Sequence, residues 1–256
     1  MKFLTFNVRI DVESDGENAW KNRIKSVAEV LNKGDYFVVG LQEPNELMLD
    51  ALLKESRKYR CAGEPRDPNG EMTPILYQVE KVRLLTNETL WLSDTKKIQS
   101  KFTDSNFNRI ATVAIFEANQ SYEMFRFVNT HLDYANPDVQ KRQMEVLIKH
   151  LNKQSSAKRL PTIIVGDFNA KLNDPVNEYI KTVSLGKSKL TSVYGTENPQ
   201  ATFHNFKGTV EGEPIDYVYY TEQFQKESQV VIRDKFFQVY PSDHYPVEFS
   251  LNFIKK

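Results

Sequence analysis

Ile163-Ile164-Val165-Gly166-Asp167-Phe168-Asn169 is the stretch that decides how this chain is read. Three consecutive branched apolar residues mark a buried strand, and beyond it a carboxylate and a carboxamide stand two positions apart. In open α/β folds ligands bind at such strand ends, so Asp167 and Asn169 are placed to share one crevice. The same tetrapeptide also makes an Asx turn readily. The pattern recurs, however. Phe6-Asn7-Val8, Leu41-Gln42-Glu43, Asn129-Thr130-His131, Ile215-Asp216-Tyr217 and Ser242-Asp243-His244 each set a proton- or metal-competent residue beside an apolar strand. Packing alone does not require six such sites.

Working outward, the strand pattern continues on both sides. Residues 2–8, 36–42, 75–79, 82–91, 109–117, 122–131, 161–165, 215–220 and 247–253 read as strands, mostly with β-branched or aromatic alternation. Helical spacing of apolar residues is expected over 18–33, with Asn18 as cap and Gly34 just past the end, and over 46–56, 137–151 and 175–183. The Gly-, Pro- and acid-rich stretch 61–73 reads as a surface loop. Strand-rich segments interleaved with a few helices predict an α/β fold with two sheets packed face to face and helices outside. No linker, composition break or long repeat divides the chain, so one domain over 1–256 is expected.

Composition narrows the function. Lys plus Arg and Asp plus Glu both number 34, so a zero net charge supplies no general field for gripping nucleic acid. Cys61 is the only cysteine, which excludes an internal disulfide and a tetrathiolate zinc site and points to a reducing, cytoplasmic setting. The N-terminus alternates like a strand and carries Asn7, unlike a signal peptide. No apolar run approaches the roughly 20 residues of a membrane span. A phosphate loop, His-Glu-x-x-His and Gly-x-Ser-x-Gly are all absent from the sequence.

What remains is chemistry suited to phosphate esters. A divalent cation such as Mg²⁺ takes one or two carboxylates plus water and substrate oxygens, which suits Glu43 with Asn7. Asp167 can orient and deprotonate water, and the Asn169 amide can hydrogen-bond the charge that develops on phosphorus-bound oxygen. Only four histidines occur; His131 and His244 both lie at strand ends. Asp216, isolated in an apolar strand, is the natural orienter of His244. His150 reads as a helix-surface residue and is left out.

At these residues the sequence resembles the endonuclease/exonuclease/phosphatase (DNase I-like) superfamily, in the family's order from Asn7 to His244, and most closely its uncharacterised bacterial branch. The resemblance implies a four-layer α/β sandwich of two mixed β-sheets with helices outside. It implies Mg²⁺ or Mn²⁺ held by Glu43 with Asn7, and Asp243 assisting that site. It further implies catalytic roles for His131, Asp167, Asn169, Asp216 and His244, with Glu71 as partner of His131. Arg109 falls where relatives place a phosphate-contacting arginine, and His204 is a candidate substrate contact. Arg9 stands where abasic-site endonucleases carry Asp, and His131 where they carry Tyr, which points away from that activity. The expected function is metal-dependent hydrolysis of phosphodiesters by activated water. The alternative is a phosphomonoesterase on a sugar phosphate, inositol phosphate or phospholipid head group. A monomer acting on a nucleic acid or small-molecule phosphate ester is expected, with the substrate read by loops 61–73, 93–108 and 184–212.

Overall fold

A computed structural model describes residues 1–154, 160–195 and 199–254. Along the chain run β1 (Lys2–Asn7), α1 (Trp20–Gly34), β2 (Val38–Gln42), α2 (Glu46–Glu55), β3 (Tyr59–Ala62), β4 (Ile75–Gln78), β5 (Val82–Trp91), β6 (Ile110–Ala118) and β7 (Met124–His131). Then follow α3 (Pro137–Gln154), β8 (Thr162–Asp167), α4 (Pro175–Thr182), β9 (Ser184–Leu185), β10 (Ser188–Ser192), β11 (Asp216–Thr221), β12 (Phe224–Val231) and β13 (Val247–Phe253). Two sheets form, in the orders β12-β13-β1-β2-β4-β3 and β5-β6-β7-β8-β11-β10-β9. Both are mixed, because β1 and β2 run parallel, as do β7 and β8, while their other neighbours are antiparallel. The central strands pack sheet against sheet. This is the expected α/β sandwich.

Strand alternation explains the layers. Successive side chains of a strand leave opposite faces, so Phe3 and Val38 enter the core between the sheets while Leu4 and Val39 face outward. The outward set is covered by Val27, Val30 and Leu31 of α1 and by Leu49 and Leu52 of α2. On the far side, Met144, Leu147 and Leu151 of α3 with Val176 and Ile180 of α4 close the second sheet. Strands buried on both faces lose their polar alternation, which is why 163–165 reads as continuous apolar sequence. Phe3 is fully buried and stacks on Phe249 with centroids 5.3 Å apart; truncating a side chain so placed costs about 3–5 kcal/mol.

Some local expectations are corrected. Helix α1 starts at Trp20 with Ala19 as cap, not Asn18, whose carbonyl instead accepts from Arg23 Nε at 2.5 Å. The left-handed residue after that helix is Asp35 (φ 52) rather than Gly34; a Cβ on Gly34 would lie 1.9 Å from the Tyr36 ring. Segment 61–73 is not simply a surface loop. It opens in β3, pairs Pro65 with Met72, and buries Arg66, Met72 and Thr73. Strands β3, β9, β10 and β12 were not legible in the sequence pattern. Among the described residues no helix is long and apolar enough to cross a membrane.

Candidate active site

Parallel pairing brings the marked strand ends together. Asn7 is in register with Gln42 across β1 and β2, and His131 with Asp167 across β7 and β8. Antiparallel β11 sets Asp216 beside Asp167. Because β13 runs antiparallel to β1, pairing Val247 with Thr5, the Ser242-Asp243-His244 segment before it arrives at the same edge. Gly166 is required by this closeness: its φ is +152, and a Cβ there would lie 1.9 Å from the Thr130 carbonyl oxygen of the parallel neighbour.

The first loop wraps Glu43. Asn7 Nδ2 donates to Glu43 Oε1 at 2.8 Å and to Asp167 Oδ2 at 3.0 Å, while the Ile10 N–H donates to Glu43 Oε2 at 2.8 Å. Asn7 Oδ1 accepts the Arg9 N–H at 2.9 Å, so in this arrangement the amide nitrogen, not the oxygen, faces the carboxylates. Arg9, Glu43 and Asn169 all have positive φ, at 57°, 73° and 51°. A left-handed conformation costs roughly 1–2 kcal/mol for a non-glycine residue and concentrates at functional sites.

Asp167 sits at the centre and is 1% exposed. Its Oδ2 lies 3.6 Å from His131 Nε2 and 3.7 Å from His244 Nε2, and its Oδ1 accepts the Asn169 N–H at 2.8 Å. Behind His244, Nδ1 is 2.8 Å from Asp216 Oδ2. Asn169 Nδ2 lies 3.0 Å from His131 Nε2 and also donates to the Leu132 carbonyl at 3.0 Å. The left-handed Asn169 is held from below as well, since Gln140 Nε2 of α3 donates to its carbonyl at 2.8 Å.

Electrostatics split the two imidazoles. Burial alone would lower His244, but the Asp216 and Asp167 carboxylates outweigh it and hold the ring well above its ordinary value. His131 lacks a carboxylate hydrogen-bonded to its ring as Asp216 is to His244; burial, then the Arg109 charge, push it well below. Burial, then the charge of Asp216, raise Asp167. Burial, then Glu43, raise Glu71, and burial is also the main force raising Asp243. Carboxylates crowded until they resist ionisation are a setting that a cation relieves. Glu43, His131 and Asp167 offer donor atoms within 4.8 Å of one another, as do Asp167, Asp216 and His244. These oxygen and imidazole donors, with no thiolate, fit a hard divalent ion.

Not every expected residue takes its expected partner. Glu71 Oε2 is 3.9 Å from His131 Nδ1, beyond a hydrogen bond; it accepts from Arg66 Nη1 at 2.8 Å and lies 3.5 Å from Arg109 Nη1. Asp243 lies outside both close donor groups; its Oδ1 accepts from Ser242 Oγ and its Oδ2 lies 3.8 Å from Arg9 Nε. His204 does not reach the cleft. It is 3% exposed, stacks on Tyr245 with centroids 3.8 Å apart, and its Nδ1 accepts the Gly208 N–H. The left-handed pair Asn205 and Phe206 turns the chain there, leaving Phe203 and Asn205 to line the cleft.

Other site residues escaped the sequence reading. Buried Arg23 donates to the carbonyls of Val8, Arg9, Asn18 and Pro241, tying the first loop to the segment before Ser242. It lies on the apolar stripe of α1 with Trp20 and Val27, and a charge on that stripe was the available signal. The Asp133 carboxylate accepts from Ser105 Oγ and from the N–H groups of Asn106, Phe107 and Ala135. That fixes the loop carrying Phe107, whose ring covers the Arg66 and Arg109 guanidiniums at 4.6 and 5.3 Å. Together these elements enclose a cleft of about 430 Å³, with Arg9 and Ile10 from the first sheet and Phe107, Arg109 and Tyr134 from the second.

Comparison with known proteins places this geometry. The family model described as Endonuclease/Exonuclease/phosphatase family matches residues 4–244. In structure the chain is similar to a mannosyl-6-phosphatase of Bacteroides thetaiotaomicron, with TM-score 0.90 and 25% identity over 99% of this chain and 100% of that one. It is also similar to a functionally unknown conserved protein of Enterococcus faecalis, with TM-score 0.89 and 28% identity over 99% and 100%. In sequence it is similar to a probable CCR4-Not complex 3'-5'-exoribonuclease subunit Ccr4 of Vairimorpha ceranae, 29% identical over 140 residues, or 47% of this chain and 29% of the relative. The chain spans less than a third of the length of the curated relatives it matches.

Proposed function

Because the chain belongs to the Endonuclease/Exonuclease/phosphatase family, we propose that it is a divalent-metal-dependent hydrolase of phosphate esters acting through water. The observation that carries this reading is the convergence on one buried carboxylate: Asp167 Oδ2 within 3.0 Å of Asn7 Nδ2, 3.6 Å of His131 and 3.7 Å of His244. Glu43 would hold Mg²⁺ or Mn²⁺, with Asn7 and Asp243 beside it. When bound, the ion supplies positive charge against the phosphate oxygens.

Asp167 orients the attacking water and takes its proton. Asp216 fixes His244 Nδ1 and supports its charged form, so Nε2 faces the phosphate as a cationic donor. Neutral His131 and Asn169, whose amide nitrogen sits between His131 Nε2 and the Leu132 carbonyl, border the oxygens that gain charge, and Arg109 with Arg66 and Glu71 forms the wall behind them. The water oxygen makes the new P–O bond, the ester P–O bond breaks, and the departing oxygen receives a proton. The span 1–256 acts as one domain, as a monomer, in a reducing cytoplasm that suits its lone cysteine.

Two ester classes fit this centre. The partial likeness to the Ccr4 exoribonuclease subunits favours a phosphodiester. The end-to-end likeness to a mannosyl-6-phosphatase favours a phosphomonoester of a sugar. Release of p-nitrophenol from mono- and bis(p-nitrophenyl) phosphate, with Mg²⁺ or Mn²⁺ and with chelator, tests the reading. We expect metal-dependent turnover that Asp167→Asn lowers at least about tenfold. Absence of turnover with either metal on either ester would refute it.

A further inference from the structure

We propose that Arg9 is a specificity-determining residue that reads the second negative charge of a terminal phosphate, making the substrate a phosphomonoester. The inference rests on the hydrolase reading above and deepens it.

Three observations converge on this residue. First, its backbone is held where a non-glycine residue is strained, at φ 57°. The fold pins it from both sides: its N–H donates to Asn7 Oδ1 at 2.9 Å, and its carbonyl accepts from the buried Arg23 Nη2 at 3.0 Å. A polar residue of the centre and a buried guanidinium are thus both engaged in holding one arginine in place. Second, its side chain is aimed and only partly used. Nε and Nη2 donate to Asp15 at 3.1 and 3.2 Å, and among the described residues Nη1 makes no hydrogen bond. The guanidinium lines the cleft, 3.8 Å from Asp243, and its side chain is 33% exposed.

Third, Arg9 differs from the other arginine of the cleft. Arg109 is 5% exposed and lies 3.5 Å from Glu71, beneath the Phe107 ring. Arg9 alone among the described lining residues combines a fixed charge, an unused donor and access to solvent. A phosphodiester carries one negative charge. A phosphomonoester carries nearly two at neutral pH, with three free oxygens rather than two. With Nε and Nη2 held by Asp15, Nη1 is the donor left to meet such a group, and the guanidinium stays charged across the working pH range.

The test measures kcat/KM for p-nitrophenyl phosphate and bis(p-nitrophenyl) phosphate on wild type, Arg9→Met and Arg9→Lys, with calorimetric titration of inorganic phosphate alongside. In Arg9→Met the monoester-to-diester ratio should fall at least tenfold and the Kd for phosphate rise at least tenfold. In Arg9→Lys, which restores charge without the fork, both should recover part of the way. Equal losses on the two esters in Arg9→Met, or a ratio that Lys fails to move, overturn the role. If wild type cleaves neither ester, the hydrolase reading falls on its own, and an unchanged Kd for phosphate in Arg9→Met then overturns the Arg9 assignment separately.

Discussion

Replacing Arg23 with methionine removes a side chain that ties three segments of the active edge together. The guanidinium is fully buried and donates to four carbonyls at 2.5 to 3.0 Å. Hydrogen bonds from a charged donor contribute roughly 1.5–3 kcal/mol each, so the gross interaction is on the order of 6–12 kcal/mol. Against this, burial drags the group down to about 10, which corresponds to about 3 kcal/mol against the charged form. Water can also reach the half-buried carbonyls of Arg9 and Asn18 once the side chain is gone, which recovers part of the loss. The net destabilisation expected for Arg23→Met is therefore about 3–5 kcal/mol, in the range for removing one partner of a buried charge network. Arg23→Lys, with one nitrogen in place of a fork, should lose about half as much. Urea unfolding at neutral pH with a common m-value reads both numbers. A loss below about 1 kcal/mol in Arg23→Met would refute the claim that these bonds brace the edge.

Further outcomes follow from the same geometry. Asp216→Asn keeps the shape but removes the charge 2.8 Å from His244 Nδ1; kcat/KM should fall by about 10²–10⁴-fold, and an unimpaired variant would sink the pairing. Chelation should abolish turnover, and Glu43→Gln should raise the calorimetric Kd for Mn²⁺ at least about tenfold. Metal at a hundredfold excess over its Kd should add about 2.7 kcal/mol to unfolding stability. Burial, then the charge of His244, lower His204 from 6.5 to about 4, so the unfolded chain takes up this proton first as pH falls. Its contribution to stability is complete above pH 6.5 and is lost between 6.5 and 4, by at most about 3 kcal/mol. The fall in unfolding free energy from pH 7 to 5 should be shallower in His204→Phe than in wild type.

Legibility followed periodicity. Val82–Trp91 and Val247–Phe253 are strands with the boundaries the sequence predicts, and in Val247–Phe253 one-sided burial imposes a period of two. Phe224–Val231 was missed because it is an edge strand, and Gln225, Lys226, Glu227, Ser228 and Gln229 carry no apolar run. The same limit applies to Ser188–Ser192, paired near the opposite end of the other sheet. Arg66 gave no signal at all. It lies in a Gly- and Pro-rich segment whose composition marks a loop, and the Phe107 ring, some forty residues later, lies over its guanidinium.

By itself the sequence determined the layered α/β architecture and the residue types at the strand ends, since burial pattern and chain reversal leave local traces. It also determined that Asp167, Asn169 and His244 would face an edge rather than the core, because each follows or precedes a buried run. Only the tertiary structure decided the pairings: Glu71 with Arg66 rather than His131, Asn7 with Glu43 and Asp167 at once, and His204 with Tyr245 instead of the cleft. It likewise decided the opposite directions in which the two imidazoles shift, since Asp216 lies against His244 while burial and the Arg109 charge act on His131. The reason is range: a hydrogen bond or a Coulombic field acts over a few ångströms in space, and the partners here stand from 5 to 160 residues apart in the chain.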